Sequence, residues 1–265
     1  MSAAVETIDL TKTFNELTAV DKLNLTVQTG TIFGLLGPNG AGKTTTIRML
    51  TTLLPPTSGT GIVAGYDVAL QAEQVRQSIG YVPQLLSTDG TLSGYENLLA
   101  SARLYHLPRG ERRDRIESAL GDFGLSDAAN RLVRTYSGGM IRRLEMAAAM
   151  LHDPQVLFLD EPTLGLDPIA RETLWDHLRE MQETTNTTIL LTTHYMEEAD
   201  ELCDRIAVMH LGVIAGEGTP QELKESIGPE ATLGDVFTHL AGMDLESGGG
   251  YREVARARRT ARRVG

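Results

Sequence analysis

One short stretch, Gly37-Pro-Asn-Gly-Ala-Gly-Lys-Thr-Thr45, limits what this chain can fold into more than any other. Before it lies Thr31-Ile-Phe-Gly-Leu-Leu36, an apolar run suited to a buried parallel strand, and after it Thr46-Ile-Arg-Met-Leu50 continues with helical character. Strand, glycine loop and helix are the context that a G-x-x-x-x-G-K-[ST] pattern requires. Gly37, Gly40 and Gly42 free the backbone to turn its N–H groups inward at phosphate oxygens, with the positive end of the following helix behind them. Lys43 is expected to reach the β- and γ-phosphates, and the Thr44 hydroxyl to bind Mg²⁺.

A chain of 265 residues has room for one large α/β domain with an inserted lobe. Its net charge of −11 argues against a general nucleic-acid binder. The single Cys203 excludes an intrachain disulfide and suits a reducing compartment. No apolar run approaches the roughly 18 residues of a membrane span, and the first ten residues lack a basic start and an apolar core. The expectation is therefore a cytoplasmic protein that reaches a membrane only through a partner.

Ile8 and Leu10, then Leu23, Leu25 and Val27, alternate with polar neighbours and read as antiparallel strands. Phe14 lies between them. From there an aromatic ring could stack on a nucleotide base, although a lone Phe is more often core. Pro55-Pro56 is expected to stop the first helix, with a short strand over residues 59–64. Ile79-Gly-Tyr-Val82 is a further strand, and Gln84 just beyond it could ligate Mg²⁺ or hold a water, though alone it reads as an ordinary loop residue. Between Tyr95 and about Leu132 helical periodicity takes over, with Leu98, Leu99, Ala102, Leu104, Ile116, Leu120 and Phe123 apolar and Arg112, Arg113 and Arg115 on a solvated face.

Tyr136-Ser-Gly-Gly-Met140 precedes strong helix formers, so Ser137 is a natural N-cap and Gly138 and Gly139 could leave a second helix end open to an anion, although the pair alone reads as a simple cap. Val156-Leu-Phe-Leu159 is a buried strand that delivers Asp160 and Glu161 at its C-terminal end, where open α/β sheets bind ligands. Asp160 is expected to hold Mg²⁺ and Glu161 to polarise an attacking water. Asp167 falls in a turn-rich loop after Pro162. A buried strand over residues 188–193 then presents His194, which beside a triphosphate can hydrogen-bond the γ-phosphate, although a lone His is more often structural.

Taken in order, these motifs resemble the nucleotide-binding subunit of an ATP-binding-cassette (ABC) transporter, over roughly residues 5–242. The resemblance implies an α/β P-loop NTPase fold: a mostly parallel core sheet, an N-terminal antiparallel β-subdomain, and a helical subdomain inserted at about residues 90–150. It makes residues 1–242 the ATPase domain, with a flexible Gly/Arg-rich tail over residues 243–265. It makes Asn39, Gly40, Ala41, Gly42, Lys43, Thr44 and Thr45 the nucleotide loop. Phe14 becomes the base-stacking aromatic, Gln84 the Q-loop residue, Ser137, Gly138 and Gly139 the signature, Asp167 the D-loop residue and His194 the switch histidine. Tyr136 and Met140 depart from the family's usual Leu-Ser-Gly-Gly-Gln. With Thr192-Thr-His-Tyr-Met-Glu-Glu-Ala-Asp200 and Leu233-Gly-Asp-Val-Phe-Thr-His-Leu240, they are similar to the daunorubicin-resistance type.

The implied cofactors are ATP and Mg²⁺, with Thr44, Gln84 and Asp160 at the metal and Glu161 and His194 catalytic. The implied partners are a second copy, bound head to tail in the presence of ATP, and a separately encoded membrane permease. The implied cargo is a drug-like or other hydrophobic compound, with lipid or polysaccharide as the alternative. A DNA-repair ATPase would need a long coiled coil and a translation ATPase two cassettes, and neither is seen. A guanine-reading Asn-Lys-x-Asp is also missing. The end of the chain, from Ser247-Gly-Gly-Gly250 through six arginines to Gly265, reads as a flexible basic tail, more often a solvated end with no role, though its charge would suit an anionic leaflet.

Overall fold

The structure is a computed structural model that describes residues 2–247, with side chains to 241. The Arg-rich end lies outside the described residues. Two sheets share one core. The first is antiparallel, in the order β2-β1-β4-β5, from β1 (Ala3–Phe14), β2 (Leu17–Gln28), β4 (Ser58–Val63) and β5 (Tyr66–Asp67). The second has the order β10-β9-β3-β8-β7-β6 and contains β3 (Ile32–Leu36), β6 (Ile79–Val82), β7 (Val156–Asp160), β8 (Thr188–Thr193), β9 (Arg205–His210) and β10 (Val213–Gly218). Every pair in it is parallel except β9 with β10.

The strands of the second sheet are buried on both faces, so they read as unbroken apolar runs. Phe33, Leu35, Phe158 and Leu190 point to one side, toward α1 (Lys43–Leu50) and the antiparallel sheet. Ile32, Leu36, Leu157, Leu159 and Leu191 point to the other, toward the remaining helices. Phe33 and Phe158 are 1% and 0% exposed, and each such burial is worth about 1.5–3 kcal/mol.

Three local expectations change. Ile8 and Leu10 do not share a face, because a register shift between Thr7 and Leu10 puts Asp9 at φ 48° and leaves Ile8 exposed. Thr7 takes the inward position and donates to the Leu23 carbonyl at 2.9 Å. The first helix stops at Leu50, ahead of Pro55-Pro56, where the Thr51 hydroxyl bonds the Ile47 carbonyl and Thr52 turns left-handed at φ 63°. Leu104, at the end of α3, is exposed rather than part of the lobe's core.

A short α2 (Ala72–Ser78) precedes β6. The inserted lobe carries α3 (Gly94–Leu104) and α4 (Arg112–Asp122) and leads into α5 (Gly138–Met150). Ser93 and Glu96 form a capping box at the start of α3. Beyond β7 come α6 (Pro168–Thr185), α7 (Met196–Leu202), α8 (Pro220–Glu225) and α9 (Leu233–Ser247).

Register decides where the site lies. Leu36 pairs with Thr193, Asp160 with Thr192 and Val82 with Leu159. The residues just past these strand ends, Gly37, Glu161, His194 and Gln84, therefore gather along one edge of the sheet.

Candidate active site

The loop of residues 37–45 is built so that glycine is required at two of its positions. A Cβ on Gly37 would lie 2.3 Å from the Met209 carbonyl oxygen. Gly42 has φ 114°, and a Cβ there would meet the Ala19 carbonyl oxygen at 2.6 Å. The loop is pinned to its surroundings by Gly37 N–H donating to the Thr193 carbonyl (3.1 Å) and by the Gly212 N–H donating to the Ala41 carbonyl (2.8 Å). Asn39 and Gly40 face solvent at its tip, and Thr45 is half-buried one turn into α1.

Lys43 is 4% exposed and folds back over the loop, donating to the carbonyls of Gly37 (2.7 Å) and Pro38 (3.2 Å). Its Nζ also lies 3.3 Å from Glu161 Oε1. Burial lowers the pKa of this ammonium from its usual value, and the carboxylate of Glu161 pulls it back up.

Glu161 is the meeting point. The Gln84 amide donates to its Oε2 at 3.2 Å, and His194 Nδ1 stands 3.3 Å from its Oε1, at ion-pair distance without hydrogen-bond geometry. Its backbone is left-handed at φ 51°, a conformation that costs a residue with a side chain about 1–3 kcal/mol. The Glu161 N–H is held there by Thr192, through its carbonyl (3.1 Å) and its hydroxyl (3.0 Å).

Asp160 is 1% exposed, and its Oδ1 accepts from the hydroxyls of Thr44 (3.0 Å) and Thr192 (2.7 Å). Both donors are neutral, so neither cancels its charge, and a buried carboxylate beside a hydroxyl suits a hard divalent cation. Among the described residues no cluster of three or more His, Cys, Asp or Glu could hold an ion. A cation here would take its other ligands from phosphate and water. In this structure the amide nitrogen of Gln84 bonds Glu161, while Thr44 and Asp160 bond each other.

A second group of expected residues lies together elsewhere. Ser137 caps α5 by accepting from the Met140 N–H at 3.3 Å, and Asp167 caps α6 by accepting from the Ala170 N–H at 2.9 Å. The two caps adjoin: a Cβ on Gly139 would lie 3.3 Å from Ala170 Cβ, and one on Gly138 3.6 Å from Leu166. Phe14 is separate again, 43% exposed near the turn into β2, with Lys12 Nζ 5.3 Å from its ring centroid.

Tyr136, which departs from the usual signature, is a lobe-core residue. It is 8% exposed and donates to the Ala128 carbonyl at 2.7 Å. A Cβ on Gly94 would meet its hydroxyl at 2.4 Å, so the small residue at the start of α3 leaves room for it.

Four further residues contribute that no local pattern in the sequence marks. Thr192 joins Asp160 to Glu161, and the only hint was its place in the strand that ends before His194. Glu198, wholly buried on α7, accepts from Trp175 Nε1 at 3.1 Å and was hidden among surface-like acids. Arg142 and Glu145, an i,i+3 pair, are buried under the Gln84 loop.

The family model described as ABC transporter matches residues 20–164, which include the glycine loop, the signature and the Asp160-Glu161 pair. The chain belongs to the ABC transporter family. It is 50% identical over 225 residues to the daunorubicin/doxorubicin resistance ATP-binding protein DrrA of Streptomyces peucetius, covering 85% of this chain and 68% of that one. It is 47% identical over 231 residues to the daunorubicin resistance ATP-binding protein DrrA3 of Streptomyces coeruleorubidus, covering 87% and 72%. A solved ATP-binding subunit of an ABC transporter superposes with a TM-score of 0.79 at 29% identity, over 89% of this chain and 99% of the other. As an ABC ATP-binding subunit, the chain binds ATP and hydrolyses it. No helix among the described residues is long and apolar enough to cross a membrane.

Proposed function

We propose that this subunit powers a separately encoded membrane exporter of drug-like hydrophobic compounds, that two copies close head to tail on ATP, and that Glu161 is the general base. The observation that carries the catalytic part is the convergence of Lys43, Gln84 and His194 on the one carboxylate of Glu161. A buried carboxylate set by three neighbours at a strand tip is oriented to take a proton from an attacking water. When nucleotide enters, the Lys43 ammonium is drawn to its phosphates and leaves the Glu161 carboxylate free to act as a base. His194 then holds the γ-phosphate side of the site, and Gln84 keeps Glu161 in place. Thr44 and Asp160, with Gln84 as the third expected ligand, would hold Mg²⁺, which would supply charge neutralisation on the phosphate oxygens. Phe14, with an exposed ring at the edge of the antiparallel sheet, stacks on the base.

The dimer reading is supported by the exposure of the second helix end. Ser137 and Gly138 are open to solvent beside Asp167, a surface that the glycine loop of a second copy would meet around one ATP. Export rests on the names of the relatives, at 47–50% identity. The chain acts from the inner face of the cell membrane, docked on its permease.

Two measurements test this function. A tagged full-length chain purified from its source membranes in mild detergent should carry a polytopic partner of about six apolar spans. Recovery with nucleic acid and no membrane protein would contradict it. In inside-out vesicles holding both subunits, daunorubicin should accumulate with ATP and not with Glu161→Gln. Movement of lipid or polysaccharide in place of the drug would favour the alternative cargo.

A further inference from the structure

The Gln84 loop carries its own puzzle. Leu85 and Leu86 are 81% and 57% exposed, so its apolar side chains do not hold it against the body. What holds it comes from α5. Arg142 and Glu145, 2% and 3% exposed, pair with each other at 2.9 Å. Arg142 donates through Nη1 to the Pro83 carbonyl (2.7 Å) and through Nη2 to the Gln84 carbonyl (3.0 Å). Glu145 Oε1 accepts from the Ser87 N–H and from its hydroxyl (3.0 Å). A buried ion pair is weak evidence for stability, since an apolar pair of similar volume often serves as well. Here, beyond the bond within the pair, both terminal nitrogens of Arg142 and Glu145 Oε1 are spent on the backbone and side chain of one loop.

We propose that Arg142 and Glu145 are positioning residues that lock the Gln84 loop to α5, so that the place of the Gln84 amide on Glu161 depends on where the helix capped by Ser137 stands. The path runs from the Ser137 cap along one helix to the Arg142–Glu145 pair, then through the backbone of residues 83–87 to Gln84 Nε2 and Glu161 Oε2. An anion at the Ser137 cap thereby acts on the carboxylate of its own chain without touching it. This rests on the reading of Glu161 as the base.

The test uses the full-length double variant Arg142→Met/Glu145→Leu, which fills the same space without charge. Amide hydrogen exchange at residues 84–87 should rise about tenfold or more, while amides of β3 and β7 keep their wild-type rates. The Kd for ATP should stay within about twofold, and kcat should fall by about tenfold as Gln84 loses its place. Unchanged exchange at residues 84–87 would overturn the proposal. So would faster exchange with normal kcat, provided that Glu161→Gln assayed alongside has lost turnover. If Glu161→Gln also turns over normally, the base reading has failed instead, and the exchange result alone judges the lock. Should the double variant not fold, Arg142→Lys keeps the charge pair but lacks the guanidinium fork that spans two carbonyls. Faster exchange at residues 84–87 in that variant supports the lock, and wild-type exchange refutes it.

Discussion

Lys43 Nζ lies 3.3 Å from Glu161 Oε1, with both side chains almost wholly buried. The lysine placed to reach phosphate is thus also the charge partner of the carboxylate. Removing one partner leaves a buried charge uncompensated, which costs about 3–5 kcal/mol. Lys43→Met should therefore lower thermal stability measured without ATP, and Lys43→Met/Glu161→Gln should recover most of the loss. Additive losses in the double variant would show that the pair is not coupled.

Glu198 gives a pH prediction. Burial pushes its carboxyl above the ordinary 4.5, against the pull of the Trp175 N–H, the hydroxyls of Thr193 and Thr163 close by, and the nearby Arg171. Its Oε2 and the Thr163 hydroxyl are both buried without a hydrogen bond. A carboxyl whose folded pKa is raised holds its proton more tightly in the native state. Its contribution to stability is then full below 4.5 and fades as pH climbs through the raised value. Glu198→Gln keeps the shape and never ionises, so its melting temperature relative to wild type should climb as pH rises from 4.5 to neutrality. A difference that stays constant over that range would contradict the assignment.

The two-chain site is open to a cross-linking test. Asn39→Cys and Ser137→Cys, both at exposed positions, should form a disulfide between chains when ATP is present and none within a chain. Native Cys203 will not interfere, because it is buried and its thiol is pushed well above its usual pKa. A link found only within single chains would defeat the head-to-tail arrangement.

The parts of the site legible in the sequence were those in which a local pattern fixes the geometry. A glycine loop between strand and helix, or two acids after an apolar strand, states its own backbone conformation, and parallel register then brings Lys43, Asp160, Glu161 and His194 to one edge. What stayed hidden depends on contacts between distant segments. Arg142 and Glu145 look like a helix surface until the loop 58 residues earlier folds over them. Glu198 resembles its exposed neighbour Glu197 because α7 is too short to show a face. The turn at Asp9 has no glycine to announce it, so Ile8 was misplaced by one step of alternation. β9 and β10 were passed over, although Ile206, Ala207, Val208 and Met209 are fully buried between neighbouring strands.

The most direct test of the account is ATP turnover by Glu161→Gln. The amide keeps the shape of the side chain and its contact with Gln84 but cannot accept a proton. ATP and Mg²⁺ should still bind, kcat should fall by about 10²- to 10⁴-fold, and gel filtration with ATP should show a dimer held closed by unhydrolysed nucleotide. Hydrolysis at the wild-type rate, with no ATP-dependent dimer, would contradict the assignment of Glu161 as the base.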